Sequence, residues 1–165
     1  MNRGADIRFF RSSDLDAIVE LSLRAWAPVF ESLREVLGDA IFSRLHVPDW
    51  EAVQADAVRS CCNAEDRAVF VAVADDRPVG FAAVALNAVH ERMGVVDMIA
   101  VDPSYQRQGI GTKLMDRAIE HMRECGMDIA AVETGGDRGH APARELYEAG
   151  GFTPLPVVRY LKLLA

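Results

Sequence analysis

The feature that most constrains the fold of this chain is an apolar stretch, a short turn and two glycines followed by a strongly periodic helix. The stretch at 93–101 ends at Asp102-Pro103, where proline cannot continue a β-ladder. Apolar residues then recur at every fourth position, at Ile110, Leu114, Ala118 and Met122, before Gly126 stops the helix. A buried strand leading directly into an amphipathic helix predicts an α/β protein.

The other elements follow in an order that predicts a single mixed sheet. The expected strands are residues 6–11, 68–74, 79–86, 93–101, 128–132 and 157–163. Two or three helices follow the first strand, a helix at 109–125 follows the fourth, and one at 142–149 follows the fifth. The turn at 75–78 makes the second and third strands a hairpin. We therefore expect one domain, residues 1–165, with a mainly antiparallel sheet flanked by helices on both faces.

Composition and charge disfavour several classes of function. The net charge is −7 and the Lys and Arg residues are scattered, whereas nucleic-acid binding needs a basic face. No apolar run approaches the ~20 residues of a membrane span. The N-terminal residues lack the apolar core of a signal peptide, so a cytoplasmic protein without a membrane partner is expected. The three cysteines and four histidines show no metal-ligand spacing, so no metal site is expected.

The turn before the periodic helix has the features of an anion-binding site. The first backbone amides of a helix have no intrahelical acceptor and lie at the positive end of its dipole. Gly109 and Gly111 have no Cβ, which lets a diphosphate approach the main chain. Gly111-Thr112-Lys113 has the wrong order for a Walker loop, and Leu114 replaces the third glycine of a dinucleotide fingerprint. For the glycines alone, an ordinary strand-to-helix turn is the alternative.

Two stretches resemble the signatures of the GNAT acetyltransferases. Residues 101–114, Val-Asp-Pro-x-x-Gln-Arg-Gln-Gly-Ile-Gly-x-x-Leu, are similar to the acyl-CoA signature of that family, and its core Gln/Arg-x-x-Gly-x-Gly/Ala is met at every position. Residues 143–152 resemble its second signature, a helix that ends in Leu-Tyr-Glu-x-x-Gly-Phe. The resemblance covers residues 68–160, whereas the first 65 residues match by topology alone. It implies an acyl-CoA N-acyltransferase-like fold.

The resemblance implies that acetyl-CoA is the acyl donor and that no metal takes part. The residues it assigns to acetyl-CoA binding are Ile99, Ala100, Val101, Gln106, Arg107, Gln108, Gly109, Ile110, Gly111, Thr112, His140 and Ala143. In this assignment the amides of residues 108–112 hold the pyrophosphate. The end of the strand at 93–101 pairs with the pantetheine arm as a peptide adds to a sheet edge. A backbone amide of residues 99–101 polarises the thioester carbonyl.

The implied reaction is direct attack of a primary amine on the thioester, and it requires two proton transfers. Tyr147, in the second signature, is the expected acid for the departing thiolate, with packing or a hydrogen bond to the cofactor sulfur as the alternative. An amine of pKa about 10.4 is protonated at neutral pH, so a base is needed. Glu133 and Asp97 are the candidate bases, and strand alternation places Asp97 on the face of Ile99 and Val101. A structural hydrogen bond of Asp97 and a water relay are the alternatives.

The acceptor is expected to be a small-molecule or peptide amine bound under the N-terminal helices. Aromatic residues there include Trp26, Phe30, His46 and Trp50, a stripe that is more typical of a core than of a pocket. His140 stands where many relatives have asparagine, so it either contacts the cofactor or caps the following helix. The glycine-rich loop before it loosely resembles aminoglycoside-acetylating members. An aminoglycoside-type antibiotic acetyltransferase and a non-catalytic CoA-binding sensory domain stay open as alternatives, as does a homodimer.

Overall fold

A computed structural model describes residues 5–87 and 89–164 of the chain, and its centre is a five-stranded sheet in the order β1-β2-β3-β4-β5. The strands are β1 Asp6–Phe9, β2 Arg67–Ala74, β3 Arg77–Leu86, β4 Met93–Val101 and β5 Ile129–Val132. The pairs β1–β2, β2–β3 and β3–β4 are antiparallel, and β4–β5 is parallel. The predicted mixed, mainly antiparallel sheet is confirmed.

Helices cover both faces of this sheet, as predicted. They are α1 Leu15–Leu45, α2 Trp50–Asn63, α3 Ile110–Glu124 and α4 Ala141–Ala149. One core cluster joins α1 and α2 to the sheet, and a second joins α3 and Tyr147 of α4 to the other face. α1 bends at Gly38, whose φ of 74° is left-handed. In the described part of the chain no helix has both the length and the apolarity to cross a membrane.

Local chemistry accounts for the central hairpin and for the start of α2. The turn residues Asp75 and Asp76 have φ of 47° and 59°, the left-handed backbone that matches the twist of a two-residue hairpin. Val71 and Phe81 are fully buried in the two strands it joins. At the start of α2, Asp49 Oδ1 accepts a hydrogen bond of 2.7 Å from the Ala52 amide, so Asp49 caps the helix.

A bulge in β4 determines which side chains face α3. Ala83 pairs with Met98, but the next residue, Val84, pairs with Val96, so Asp97 is the extra residue in the ladder. Val96 and Ile99 therefore both pack on the α3 face, although strict alternation would separate them. The extra residue shifts the alternation of the second half of β4.

The predicted last strand, residues 157–163, is wrong. Residues 152–164 have no regular secondary structure, and Val157 and Tyr160 are 80% and 88% exposed. The strand expected at 128–132 is shorter and less buried than predicted, since Ile129 is 55% exposed. Both differences have one physical reason: β5 is the last strand of the sheet, and no described segment pairs with its outer edge.

Candidate active site

The site begins at the first turn of α3, where three backbone amides have no helical acceptor. Gly109 precedes the helix with φ 77°, a left-handed conformation that favours glycine. The Lys113 amide donates the first helical hydrogen bond, to the Gly109 carbonyl at 3.1 Å. The amides of Ile110, Gly111 and Thr112 come before that bond and stay free. This geometry suits an anion.

The space beside Gly111 would accommodate a small side chain. A Cβ added there would lie 3.4 Å from Leu146 Cδ2 and 3.9 Å from Val101 Cγ2, which are ordinary contact distances. Packing within the protein therefore does not demand glycine at this position. The absence of a side chain instead leaves the backbone open to a ligand at the helix start.

The loop between β4 and α3 is held by its own glutamines. Gln106 Nε2 donates to the Val101 carbonyl at 3.0 Å, and Gln108 Nε2 donates to the Ser104 carbonyl at 3.4 Å. Arg107 lies exposed at the rim, 3.7 Å from Glu145 of α4. Of these predicted cofactor residues, the two glutamines shape the loop and Arg107 supplies charge beside it.

An ion pair between the exposed Arg24 and the buried Asp102, which sequence reasoning missed, connects α1 to this loop. Arg24 Nη2 donates to Asp102 Oδ2 at 2.6 Å, and Asp102 Oδ1 accepts from the Ser104 amide at 2.9 Å. Burial raises the pKa of Asp102, but the hydrogen bonds from Arg24 and Ser104 outweigh it and hold the pKa below its ordinary value. The only local signal was an aspartate before proline.

The second half of β4 has an open edge beside the α3 start. β5 pairs with β4 only from Met93 to Val96, whereas β4 continues to Val101. On its other side β4 is fully paired, with Val101 opposite Gly80. The outer backbone groups of residues 98–101 therefore have no strand partner among the described residues. They border the gap that begins where β5 stops pairing with β4; we call this gap the cleft, and an extended chain could occupy it by strand addition.

Tyr147 lies in the same cluster as the predicted cofactor residues Ile99, Val101, Ile110 and Ala143. It is 8% exposed, and burial raises the pKa of its phenol to about 12. Every fully enclosed side-chain oxygen and nitrogen in the described part of the chain has a hydrogen-bond partner. The Tyr147 hydroxyl has no hydrogen-bond partner among the described residues. It therefore cannot be one of the fully enclosed atoms, and it is accessible to solvent.

The two candidate bases lie in different surroundings. Asp97 forms an ion pair with Arg67, whose strand neighbours Val69 and Val71 pack against α1 and α2. The expectation that Asp97 shares a face with Ile99 and Val101 is therefore wrong, because the bulge shifts the alternation.

Glu133, the other candidate base, lies beside the cleft. Val132 pairs with Val96, so Glu133 follows at the point where β5 leaves β4, and it is exposed there. Of the two carboxylates, Glu133 is the one placed at the mouth of the cleft.

His140 is held by a network that anchors its loop to α1. Asp137 Oδ1 accepts from His140 Nδ1 at 2.5 Å, and Asp137 Oδ2 accepts from Ser32 Oγ at 2.5 Å. A Cβ on Gly139 would lie 2.7 Å from Ser32 Cβ and 2.9 Å from Val29 Cα, so only glycine allows this approach. His140 occupies the N-cap position of α4, as one of the two alternatives expected, but its side chain makes no cap hydrogen bond to the helix.

The N-terminal aromatic residues divide between core and pocket. Trp26 packs edge-on against Phe81 in the core, with ring centroids 6.2 Å apart. Phe30 stacks on Trp50 at 4.5 Å, and both line a pocket of about 140 Å³. Glu31 and Arg34 supply opposite charges to its wall. Between residues 5 and 164, leaving out 88, no three metal-ligating side chains cluster.

Comparison with known proteins decides the family. The family model of the Acetyltransferase (GNAT) family matches residues 29–152, which include both signatures, the cleft and Tyr147. The chain belongs to the GNAT acetyltransferase family. The resemblance of its two signatures is thereby confirmed.

Several proteins are similar to this GNAT chain over parts of their length. The mycothiol acetyltransferase of Beutenbergia cavernae is 41% identical over 64 residues, 39% of this chain and 21% of that protein. The streptothricin acetyltransferase of Streptomyces lavendulae is 34% identical over 122 residues, 73% of this chain and 62% of that protein. The match thus spans less than two thirds of the length of either relative.

The fold is shared with solved structures at lower identity. The aminoglycoside N-acetyltransferase AAC(6′)-Iy in complex with CoA aligns with a TM-score of 0.68 and 18% identity, covering 100% of this chain and 99% of the other. At that identity the likeness is one of fold. It confirms the predicted GNAT architecture.

Proposed function

We propose that this GNAT protein transfers an acetyl group from acetyl-CoA to a primary amine by direct attack. The observation that carries the proposal is the cleft: the open edge of β4 at 98–101 meets the free amides of α3, and Tyr147 packs beside both. The β4 edge suits an extended amide-bearing arm, the α3 amides suit a diphosphate, and Tyr147 suits a leaving thiolate.

Three elements of the chain would share the binding of acetyl-CoA: the start of α3, the end of β4 and the start of α4. The amides of residues 108–112 would hold the pyrophosphate, with Arg107 adding charge at the rim. The strand end Ile99-Ala100-Val101 would pair with the pantetheine arm and offer an amide to the thioester carbonyl. His140 and Ala143, at the start of α4, would contact the donor from the opposite side. Bound acetyl-CoA supplies an activated acyl group, and no metal is proposed.

Tyr147 is proposed as the acid. Its phenol has a pKa of about 12, so it is protonated at every pH at which the protein would work. An ordinary thiol has a pKa of about 8.5. A thiolate leaving the acyl carbon is therefore less basic than the phenolate, so complete transfer of the phenol proton to sulfur is unfavourable. Tyr147 would act as the acid by donating a hydrogen bond to the sulfur as negative charge develops there, and solvent would supply the final proton of the thiol.

Glu133 is proposed as the base that accepts the amine proton, directly or through water. It is exposed at the point where β4 and β5 separate. Asp97 is the second candidate, but its ion pair with Arg67 on the α1/α2 face favours a structural role. The two carboxylates can be told apart by the pH dependence of turnover in their amide variants.

The acceptor is proposed to be a small-molecule amine, with an aminoglycoside-type antibiotic as the second candidate. Support comes from the streptothricin acetyltransferase relative and from the shared fold of AAC(6′)-Iy, which was also solved with CoA-S-monomethyl-acetylneamine. The net charge of −7 favours a cationic acceptor. The pocket lined by Phe30, Glu31 and Trp50 offers a carboxylate and aromatic side chains to such a cation, although Arg34 places a positive charge in the same wall.

A thiol-release assay with acetyl-CoA, run over a panel of amines together with CoA binding, tests the proposal. Turnover of small amines supports it, and preferential turnover of aminoglycosides selects the second candidate. Tight CoA binding without turnover of any amine would instead indicate a non-catalytic sensory domain. Better turnover of a neutral hydroxyl acceptor would contradict the amine assignment.

Three further points belong to the proposal. Residues 1–165 act as one domain, the protein works in the cytoplasm, and it assembles as a homodimer. The first is supported by the continuous sheet that the two core clusters share. The third is supported by the large apolar side chains exposed after α4, among them Leu155, Val157 and Tyr160.

A further inference from the structure

The proposed reaction removes two protons from the amine nitrogen, and Glu133 accounts for one of them. An amine of pKa about 10.4 arrives as an ammonium ion and must lose a proton before it can attack. The nitrogen loses a second proton once it is bonded to the acyl carbon, because the product is a neutral amide. A second proton acceptor is therefore needed close to the cleft.

Asp137 and His140, in the loop after β5, form a pair that holds the imidazole by one ring nitrogen. Burial raises the pKa of Asp137, but hydrogen bonds from Ser32, His140 and the Gly139 amide outweigh it and hold the pKa below its ordinary value. An ionised carboxylate only accepts hydrogen bonds, so the contact of 2.5 Å with His140 places the proton on Nδ1. In neutral His140, Nε2 is then the bare nitrogen.

The carboxylate of Asp137 has a fixed position. Its Oδ2 accepts from Ser32 Oγ of α1 at 2.5 Å and from the Gly139 amide at 3.0 Å. A Cβ on Gly135 would overlap Asp137 Oδ1 and His140 Nδ1, so glycine allows the loop to close over this edge of the ring. The imidazole is therefore fixed in orientation as well as in tautomer.

The Nε2 edge of His140 faces away from these contacts. Nε2 has no hydrogen-bond partner among the described residues, so it is not one of the fully enclosed atoms. His140 is the N-cap residue of α4, and Ala143 packs in the cluster that contains Tyr147 and Val101. Nε2 is thus an accessible proton acceptor at the start of α4, beside the cleft.

We propose that His140 Nε2 accepts the proton that the amine nitrogen loses after its bond to the acyl carbon forms, and that Asp137 is the positioning residue that keeps Nε2 unprotonated. This inference rests on the proposed acetyl transfer and adds a catalytic residue to it. The N–C bond forms and the C–S bond breaks. Glu133 takes the first proton of the ammonium ion, His140 takes the second, and solvent protonates the thiolate. One proton is released overall when both bases return their protons to solvent.

Asp137 is the charged group in direct contact with the imidazole. Arg138 is paired with Glu35 at 2.5 Å, and Arg144 donates to the Gly135 and Asp137 carbonyls. The charged residues that the loop and its neighbouring helices bring near His140 are Glu133, Asp137 and Arg138 of the loop, Glu31 and Glu35 of α1, and Arg144 and Glu145 of α4. A change of Asp137 therefore acts on His140 directly.

The pH dependence of kcat, measured with the amine that the protein acetylates fastest, tests the role of His140. His140→Asn keeps an N–H for Asp137 and removes the basic nitrogen. We expect kcat to fall by about 100-fold or more. The rise of kcat between pH 5 and 8, the range in which imidazoles titrate, should disappear. A raised KM for acetyl-CoA with unchanged kcat and pH profile would reduce His140 to a donor contact and overturn the proposal.

Asp137→Asn tests the positioning role. The new amide can donate to His140 Nδ1, which favours the tautomer protonated on Nε2, so kcat should fall with the fold kept. The control Glu35→Gln weakens the contact with Arg138, which holds the same loop to α1 but does not touch the imidazole. It should keep the kcat and the pH profile of the unchanged protein. Equal losses in the two variants would show that the loop is only an anchor and would refute the positioning role.

Nitrogen-15 spectra of the His140 ring test the tautomer without any substrate. At pH 8, above the range in which imidazoles titrate, Nδ1 should carry the proton in the unchanged protein and Nε2 should carry it in Asp137→Asn. A protonated Nε2 in the unchanged protein would overturn the inference. If the unchanged protein acetylates no amine, the proposed function and this inference fall together. Full turnover in His140→Asn refutes this inference alone.

Discussion

Burial determines what the single residue Tyr147 can do. The ring is enclosed among apolar residues of α3 and β4, while its hydroxyl reaches open space. Tyr147→Phe removes one oxygen and keeps the ring, so we expect turnover to fall by about 100-fold or more with little change in stability at neutral pH. Steady-state kinetics and urea unfolding measure the two effects. Turnover equal to that of the unchanged protein would reduce Tyr147 to a packing residue.

The raised pKa of Tyr147 also predicts a stability change at alkaline pH. The folded-state pKa of about 12 exceeds the ordinary value of 10.0. Folding therefore favours the neutral phenol. The free energy of unfolding that this preference contributes is complete below pH 10 and is lost as the pH rises toward 12. The loss is at most roughly 2–3 kcal/mol. The decrease in unfolding free energy between pH 9 and 12 should be smaller in Tyr147→Phe, and equal decreases in both proteins would contradict the shift.

Two substitutions of Gly111 distinguish an effect on ligand binding from an effect on folding. Gly111→Ala adds a Cβ at an ordinary contact distance and should raise helix stability by up to about 1 kcal/mol while CoA still binds. Gly111→Val places two methyl groups at the free amides and should abolish CoA binding, with the fold kept. Isothermal titration with CoA and thermal melts report both quantities. If the valine variant bound CoA with unchanged affinity, the anion would have to lie elsewhere.

Glu133 and Asp97 are distinguished by pH. Glu133→Gln should lower turnover strongly at pH 7 and much less at pH 10, because an amine of pKa about 10.4 is then partly neutral without help. Asp97→Asn should mainly reduce stability, since it removes the partner of Arg67. Measured pH–rate profiles of both variants test this. Full activity of both at neutral pH would favour a water relay to bulk solvent.

At the scale of secondary-structure elements, the contact of α1 with the loop after β4 is held by Arg24 and Asp102. Arg24→Met would leave a buried carboxylate unpaired, and we expect it to cost about 1–3 kcal/mol of stability and to weaken CoA binding. The control Arg59→Met removes a surface pair with Asp56 and should cost at most ~0.5 kcal/mol. Chemical unfolding of both variants compares them, and equal costs would show that the Arg24–Asp102 pair contributes no more than a surface pair.

The elements themselves follow from short-range signals, and most were predicted. β4 ends at Val101 as expected because Asp102-Pro103 interrupts the ladder, and α3 follows from its four-residue apolar period. The hairpin of β2 and β3 follows from its aspartate turn. The last strand was predicted wrongly, because its apolar residues carry no information on whether the segment reaches a sheet edge, and residues 157–163 do not pair with the open edge of β5.

At the scale of the whole molecule, the sheet separates two sets of functional residues. Tyr147 and the predicted cofactor residues that pack with it lie on the α3 face, whereas Asp97 and Arg67 lie on the α1/α2 face. α1 nevertheless reaches the site through long-range contacts that include Arg24 with Asp102 and Ser32 with Asp137. The helix that is expected to cover the acceptor is thus fastened to both ends of the cleft.

The sequence alone determined what depends on neighbours along the chain. The free amides of α3, the left-handed turn at Gly109 and the position of Tyr147 on α4 each follow from a few consecutive residues. Only the tertiary structure decided which partners those residues meet. The bulge at Asp97, the ion pair that holds Asp102 and the docking of Gly139 on α1 join residues far apart in the chain, and a local pattern carries no information on such pairings.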